Sequence, residues 1–168
     1  MRDADAEFDP PGILRVLENH GVKFVVIGGV SGNLHGSTTL TEDLDIAYAR
    51  DRANLERLAA ALRDLGAELR GAPKGLPFKL DAATLKAGLN FTFATRLGPL
   101  DCLGEASGSF TYDSLIGNAE HYPIGDLQVF AASLDDLIRM KRAAGRIKDR
   151  IEVENLAALR EVRDQKSR

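Results

Sequence analysis

Three acidic residues carry the chemistry this chain can do: Asp43 and Asp45, separated by Leu44, and Asp101, set between Leu100 and Cys102. In a strand, residues i and i+2 point to the same face, so Asp43 and Asp45 project together while Leu44 and Ile46 face the core. Carboxylates held that close repel one another unless a proton or a cation stands between them. A divalent metal is the natural occupant, and hard oxygen ligands favour Mg²⁺. Asp101 is a charge in the middle of an apolar strand, in place only if it faces a polar cavity; it is the expected third ligand. Three carboxylates on neighbouring strands can hold two metal ions about 3.5–4 Å apart, the arrangement used for phosphoryl and nucleotidyl transfer. Upstream, Gly28-Gly29 closes an apolar run, where a backbone can approach a ligand closely. A glycine turn entering a helix also offers free N–H groups to phosphate, with Ser31 and His35 as further donors.

Taken singly, these features have ordinary explanations. A lone Asp-x-Asp is commonly a solvated strand edge, Gly-Gly after a strand a tight turn, and a loop histidine a hydrogen-bonded turn residue. The combination is more specific: strand, Gly-Gly, thirteen residues, Asp-x-Asp in a second strand, then a later in-strand Asp.

The elements that must position these residues read as follows. Asp9-Pro10-Pro11 starts a helix carrying Ile13, Leu14 and Leu17, stopped at Gly21. Residues Val22 to Ile27 are a nearly continuous apolar run, a strand buried on both faces. The stretch from Ser31 to Thr39 is too glycine-rich for a long helix. Asp43 to Tyr48 form the second strand. Leu55, Leu58, Ala59, Leu62 and Leu65 make the clearest helix, ended by Gly66. Leu89, Phe91 and Phe93 alternate with polar residues, and Leu100 to Leu103 follow a Gly98-Pro99 break; the two predict an antiparallel hairpin. Residues 104–123 read as loop with one short element, and Leu127 to Phe130 as a strand. Ser133 caps a helix with the apolar stripe Leu134, Leu137 and Ile138. A second helix, from about Asp149, carries Leu156, Leu159 and Val162. The expected architecture is α+β: a small mixed sheet packed by helices, one domain over 1–168, with an α/β core over 1–132 and C-terminal helices over 133–168.

With these motifs in place, the chain resembles a known family. The segment VIGGVSGNLHGSTTLTEDLDI is similar to the signature of the nucleotidyltransferase superfamily, which includes DNA polymerase β and the aminoglycoside nucleotidyltransferases. It is similar in particular to small bacterial nucleotidyltransferase-like proteins grouped near the AbiEii-type toxins. The segment SLDDLIRMKRAAGRIKD resembles their closing helix and Lys-Asp motif; residues 67–123 match only through Asp101. The resemblance implies a polymerase β-like fold in which Asp43 and Asp45 hold two Mg²⁺ ions. Asp101 would bind the catalytic one beside the attacking hydroxyl and help to lower its pKa, and the Gly28-Gly29 turn would carry the phosphates. It further implies transfer of a nucleotide from an NTP such as ATP to an acceptor hydroxyl on RNA (tRNA among them), a protein or a small molecule, with release of pyrophosphate. A toxin–antitoxin context, with an antitoxin as partner, follows from the same likeness. Thr39 departs from the pattern, standing where relatives often have an arginine, which puts triphosphate affinity in question. Two other readings follow: a catalytically silent member that binds a partner, or an aminoglycoside-like small-molecule enzyme.

The C-terminal segment adds basic groups. From Arg139 to Arg150 there are six basic residues and one acid, net +5 in a chain whose formal charge is −3. Lys141 lies at i+7 from Leu134 and i+4 from Leu137, on the inward stripe, and needs an anionic partner: a triphosphate or the aspartate cluster. Lys148 and Asp149 join it as nucleotide-site residues through the family motif. Arg139, Arg142, Arg146 and Arg150 share one face if the helix runs through Gly145, most simply as a solvated surface. No aromatic residues interleave with them, so single-strand stacking is not indicated.

Composition bounds the rest. The 168 residues, 44% hydrophobic and 28% charged, suffice for one well-packed core. The longest apolar run, Phe24 to Val30, falls far short of the roughly 20 residues of a membrane span. The first nine residues are acidic and polar, unlike a secretory signal. The single Cys102 excludes an internal disulfide and a multi-cysteine metal site. The expected setting is the cytoplasm, with a symmetric dimer the commonest assembly for such a domain.

Overall fold

The computed structural model describes residues 7–73 and 76–167. Seven strands form one mixed sheet with helices on both faces. The chain runs α1 (Pro10–Asn19), β1 (Phe24–Ile27), α2 (Gly28–Leu34), β2 (Leu44–Tyr48), α3 (Arg52–Asp64), β3 (Glu68–Leu69) and α4 (Ala82–Ala87). It continues with β4 (Asn90–Thr95), β5 (Gly98–Leu103), α5 (Tyr112–Ile116), β6 (Glu120–Ile124), β7 (Leu127–Ala131), α6 (Leu134–Ala144) and α7 (Ile147–Lys166). The strand order is β3-β4-β5-β2-β1-β7-β6. β2 runs antiparallel to β1 and parallel to β5, and this places the two aspartate-bearing strands side by side at the centre.

β1 is buried at every position, and its alternate residues serve two cores. Phe24 and Val26 pack with α1 and α3, through Ile13, Leu14, Leu17, Leu55, Leu58 and Leu62. Val25 and Ile27 pack on the other face with Leu134, Leu137, Ile138 and Leu156 of α6 and α7. This explains the unbroken apolar run: a strand covered on both sides has no face to leave polar. On β2 and β5, Leu44, Ile46, Leu100 and Cys102 belong to the first core. Pleating then turns Asp45 and Asp101 to the side where α6 and α7 lie. Cys102 is the buried core residue its place beside Asp101 predicts.

The α+β class and the hairpin agree with the sequence reading, the latter with β4 and β5 paired from Asn90–Leu103 to Thr95–Gly98. Its turn is Arg96-Leu97, so Gly98-Pro99 opens β5 instead of breaking before it. The Thr95 hydroxyl closes that turn, donating to the Gly98 carbonyl at 2.7 Å and accepting from Leu97 N–H at 3.0 Å. Residues 104–123 hold more than one short element, since α5 is followed there by most of β6. β3 and α4 were not foreseen.

The C-terminal region holds the two helices expected, but the condition for a shared arginine face fails and one stripe residue is misplaced. No single helix runs through Gly145, which ends α6 in the left-handed conformation at φ +68°. α7 starts at Ile147, so Arg139 and Arg142 lie on one helix, Arg150 lies on the next, and Arg146 caps the second. Val162, placed with the apolar stripe, is instead exposed, while Leu156 is buried.

Candidate active site

Asp43 precedes β2, Asp45 lies within it, and Asp101 is the direct register partner of Asp45 on β5. The three carboxylates each offer an oxygen within 4.8 Å of the others. Burial pushes Asp45 up to about 7, reinforced by the charges of Asp43 and Asp101 and opposed by Lys141. Asp101 is also raised by burial, against the pull of Arg70, whose Nη2 donates to Asp101 Oδ1 at 2.8 Å. Asp45 Oδ1 is enclosed with no hydrogen-bond partner among the described residues. A buried, unpartnered carboxylate oxygen inside an all-oxygen, like-charged cluster fits a hard divalent cation.

The Gly28-Gly29 turn is built against this cluster. Ile27, the last residue of β1, pairs with Asp45, and Gly28 follows with φ +67°. A Cβ at Gly28 would overlap the Asp45 carboxylate, so glycine is required both by conformation and by the close approach. Gly29 likewise faces Thr41, whose hydroxyl donates to the Asp43 carbonyl at 3.0 Å. Ser31 is fully buried on α2, its hydroxyl unpartnered among the described residues.

The loop after α2 is held from below. Asn33 Nδ2 donates to the carbonyls of Ser37 and Thr39 at 2.9 and 2.8 Å. The hydroxyls of Ser37 and Thr39 donate to Glu152 of α7 at 3.0 and 2.5 Å. Thr39 thus works as a tether to a carboxylate only 8% exposed. His35 is a turn residue tied into the fold: its Nε2–H donates to the Ala132 carbonyl at 2.7 Å. Its Nδ1 then accepts from Arg163 Nη2 at 3.0 Å and lies 2.7 Å from the Tyr122 hydroxyl, which donates to Glu120. Burial holds its pKa below the ordinary value.

Lys141 does turn inward, but its partner differs from the two expected. Its Nζ donates to Asp149 Oδ1 at 3.4 Å, and Arg146 Nε donates to Asp149 Oδ2 at 2.6 Å. Burial works to raise Asp149, but its bonds to Arg146 and the charge of Lys141 outweigh that and hold it below the usual carboxylate range. Asp149 therefore fastens two cations at the hinge between α6 and α7, and the charges of both are felt at Asp45. Lys148 is exposed to solvent. Arg70 and Glu152 are site neighbours that the sequence reading did not single out, and Arg146, read there as part of a solvated face, is a third. Arg146 had a signal, three residues before an acidic helix-start residue, and so did Glu152, an acid four residues before Leu156 and seven before Leu159 on the same helical stripe; Arg70 had none.

No protein-family model matches the chain, and no curated protein matches it. Solved structures do. The lincosamide antibiotic adenylyltransferase LnuA, lincomycin-bound, superposes with a TM-score of 0.60 at 16% identity, covering 92% of this chain and 99% of its own. The chain has the nucleotidyltransferase fold. ANT(2″)-Ia in complex with adenylyl-2″-tobramycin shares that fold with a TM-score of 0.53 at 16% identity, over 93% of this chain and 95% of its own. A candidate nucleotidyltransferase from Thermotoga maritima gives 0.52 at 15% identity, over 97% and 99%. The nucleotidyltransferase fold therefore spans nearly the whole chain, α6 and α7 included. Among the described residues no helix is long and apolar enough to cross a membrane.

Proposed function

We propose that this protein is a metal-dependent nucleotidyltransferase, moving a nucleoside monophosphate from an NTP to an acceptor hydroxyl with release of pyrophosphate. The observation that carries this reading is the convergence of Asp43, Asp45 and Asp101 within 4.8 Å, with Asp45 Oδ1 unpartnered, in this fold. Two Mg²⁺ ions held by these carboxylates would supply charge stabilisation at the attacking and leaving oxygens. Asp43 and Asp45 would hold the pair, and Asp101 would serve the side where the acceptor hydroxyl loses its proton. The Gly28-Gly29 turn brings backbone against Asp45, and its N–H groups are the proposed donors to phosphate. Lys141 and Arg146, fixed by Asp149, set positive charge near the same carboxylates and compensate for the arginine absent at Thr39. Ser31, enclosed beneath the turn, and Lys148, facing solvent, are the remaining residues of the proposed nucleotide site.

Two acceptor classes have specific support. The exposed Arg142, Lys148 and Arg150 give sequence-independent attraction for RNA such as tRNA, the acceptor of a toxin with a cognate antitoxin. The shared fold with proteins holding lincomycin and adenylyl-2″-tobramycin favours a small hydroxylated acceptor. Label transfer from each of four α-labelled NTPs tests both, using total tRNA, a lincosamide and an aminoglycoside with Mg²⁺, beside Asp43→Ala/Asp45→Ala. Label on one acceptor, dependent on the aspartates, is the expected result. No transfer together with no Mg²⁺-dependent NTP binding overturns the proposal.

A further inference from the structure

We propose that Arg70 is an internal counter-ion of the carboxylate site, holding Asp101 until a divalent cation displaces it, so that it sets the site's metal affinity. The inference rests on the reading of Asp43, Asp45 and Asp101 as metal ligands. Three carboxylates within 4.8 Å need positive charge, and Arg70 is the basic side chain bonded directly to one of them among the described residues. The other two cations whose charge reaches Asp45, Lys141 and Arg146, are bonded to Asp149.

The placement of Arg70 is built. Its backbone N–H donates to the Thr92 carbonyl at 2.9 Å, beyond the end of β3. Thr92 is the β4 register partner of Asp101, so the side chain starts beside the carboxylate it meets. The guanidinium is then forked: Nη1 donates to the Phe93 carbonyl at 3.3 Å and Nη2 to Asp101 Oδ1 at 2.8 Å. The Phe93 bond does not depend on the carboxylate, so the side chain keeps an anchor when Asp101 is taken from it. At 36% exposure Arg70 can move into solvent, while Asp101, at 17%, cannot follow it. A cation entering between the aspartates must break this charge-assisted bond and stand beside a like charge. The occupied and displaced positions of Arg70 thus divide the site into a closed and a metal-competent population, which weakens apparent affinity by the competent fraction.

A purely architectural Arg70, tying the β3 end to the sheet, makes the opposite prediction: its loss would leave metal affinity unchanged or weaken it by loosening Asp101. The test is calorimetric titration of Mn²⁺ into the full chain without nucleotide. Arg70→Gln is expected to tighten Mn²⁺ binding about three- to tenfold, and Arg70→Lys, which keeps the charge, to stay within about twofold of wild type on the same grounds. In an Asp101→Asn background the gain from Arg70→Gln should vanish, because the contact is already gone. Unchanged or weaker binding by Arg70→Gln, whatever Arg70→Lys does, overturns the inference alone. Absence of Mn²⁺ binding in both wild type and Arg70→Gln overturns it together with the metal reading.

Discussion

Replacing Asp45 by asparagine should stabilise the metal-free protein at pH 8 while abolishing its response to metal. Asp45 is raised from 3.8 to about 7, first by burial and then by Asp43 and Asp101. Between those values the folded state keeps a proton that the unfolded state has lost, so stability falls as pH rises through the window and the full cost stands above it. At 1.36 kcal/mol per pH unit, a displacement of about three units sets a ceiling of about 4 kcal/mol. The neighbouring carboxylates share the proton, so about half of that, about 2 kcal/mol, is the expected gain from Asp45→Asn. For a chain of this size it corresponds to about 4–8 °C in Tm. The assay is thermal denaturation in EDTA at pH 4.5 and pH 8, repeated at pH 8 with excess Mg²⁺. The variant should melt higher than wild type at pH 8, with the difference shrinking at pH 4.5. Mg²⁺ at about 100 times its Kd should stabilise wild type by about 2.7 kcal/mol and leave the variant nearly unmoved. An Asp45→Asn protein that melts below wild type in EDTA at pH 8 would refute the claim that the cluster is held together against its own repulsion.

Other perturbations address the remaining parts. Asp101→Asn, measured by label transfer, should lower kcat by about 10²–10⁴-fold if the carboxylate assists removal of the acceptor proton. Gly28→Ala should cost about 1–2 kcal/mol from its positive φ alone and should also weaken Mg²⁺-dependent stabilisation, since its Cβ enters the space of Asp45; equal Mg²⁺ responses would contradict the close approach. Glu152→Ala leaves the Ser37 and Thr39 hydroxyls without their acceptor, at about 1–3 kcal/mol by denaturant melts, with faster amide exchange in residues 35–41 as its signature. His35 is held below its ordinary pKa mainly by burial, so it contributes stability above pH 6.5 that is lost as pH falls from there. A His35→Gln protein should show a flatter Tm–pH curve between pH 5 and 7.

What the sequence disclosed and what it hid divide along a physical line. Asp43, Asp45 and Asp101 were legible because strand geometry is local: a two-residue period puts a pair on one face, and a charge between Leu100 and Cys102 contradicts its neighbours unless a polar cavity receives it. Gly28 was legible for the same reason, although only the fold shows that its missing Cβ makes way for Asp45. The two C-terminal helices were legible, the second expected from about Asp149 and found from Ile147; the shared arginine face, which required one helix through Gly145, is absent because the glycine adopts the left-handed conformation and re-aims the chain. Lys141 was correctly turned inward, but its partner lies in the next helix, and a pairing across that turn becomes visible only once the break is placed. Arg70 lies in a stretch with no informative period, Glu152 on the stripe of Leu156, and each acquires its role from a residue 31 or more positions away. The segments that carry the clustered carboxylates announce themselves by conflict with their surroundings. The residues that tune them, whose own neighbourhoods are unremarkable in type, are found through their partners.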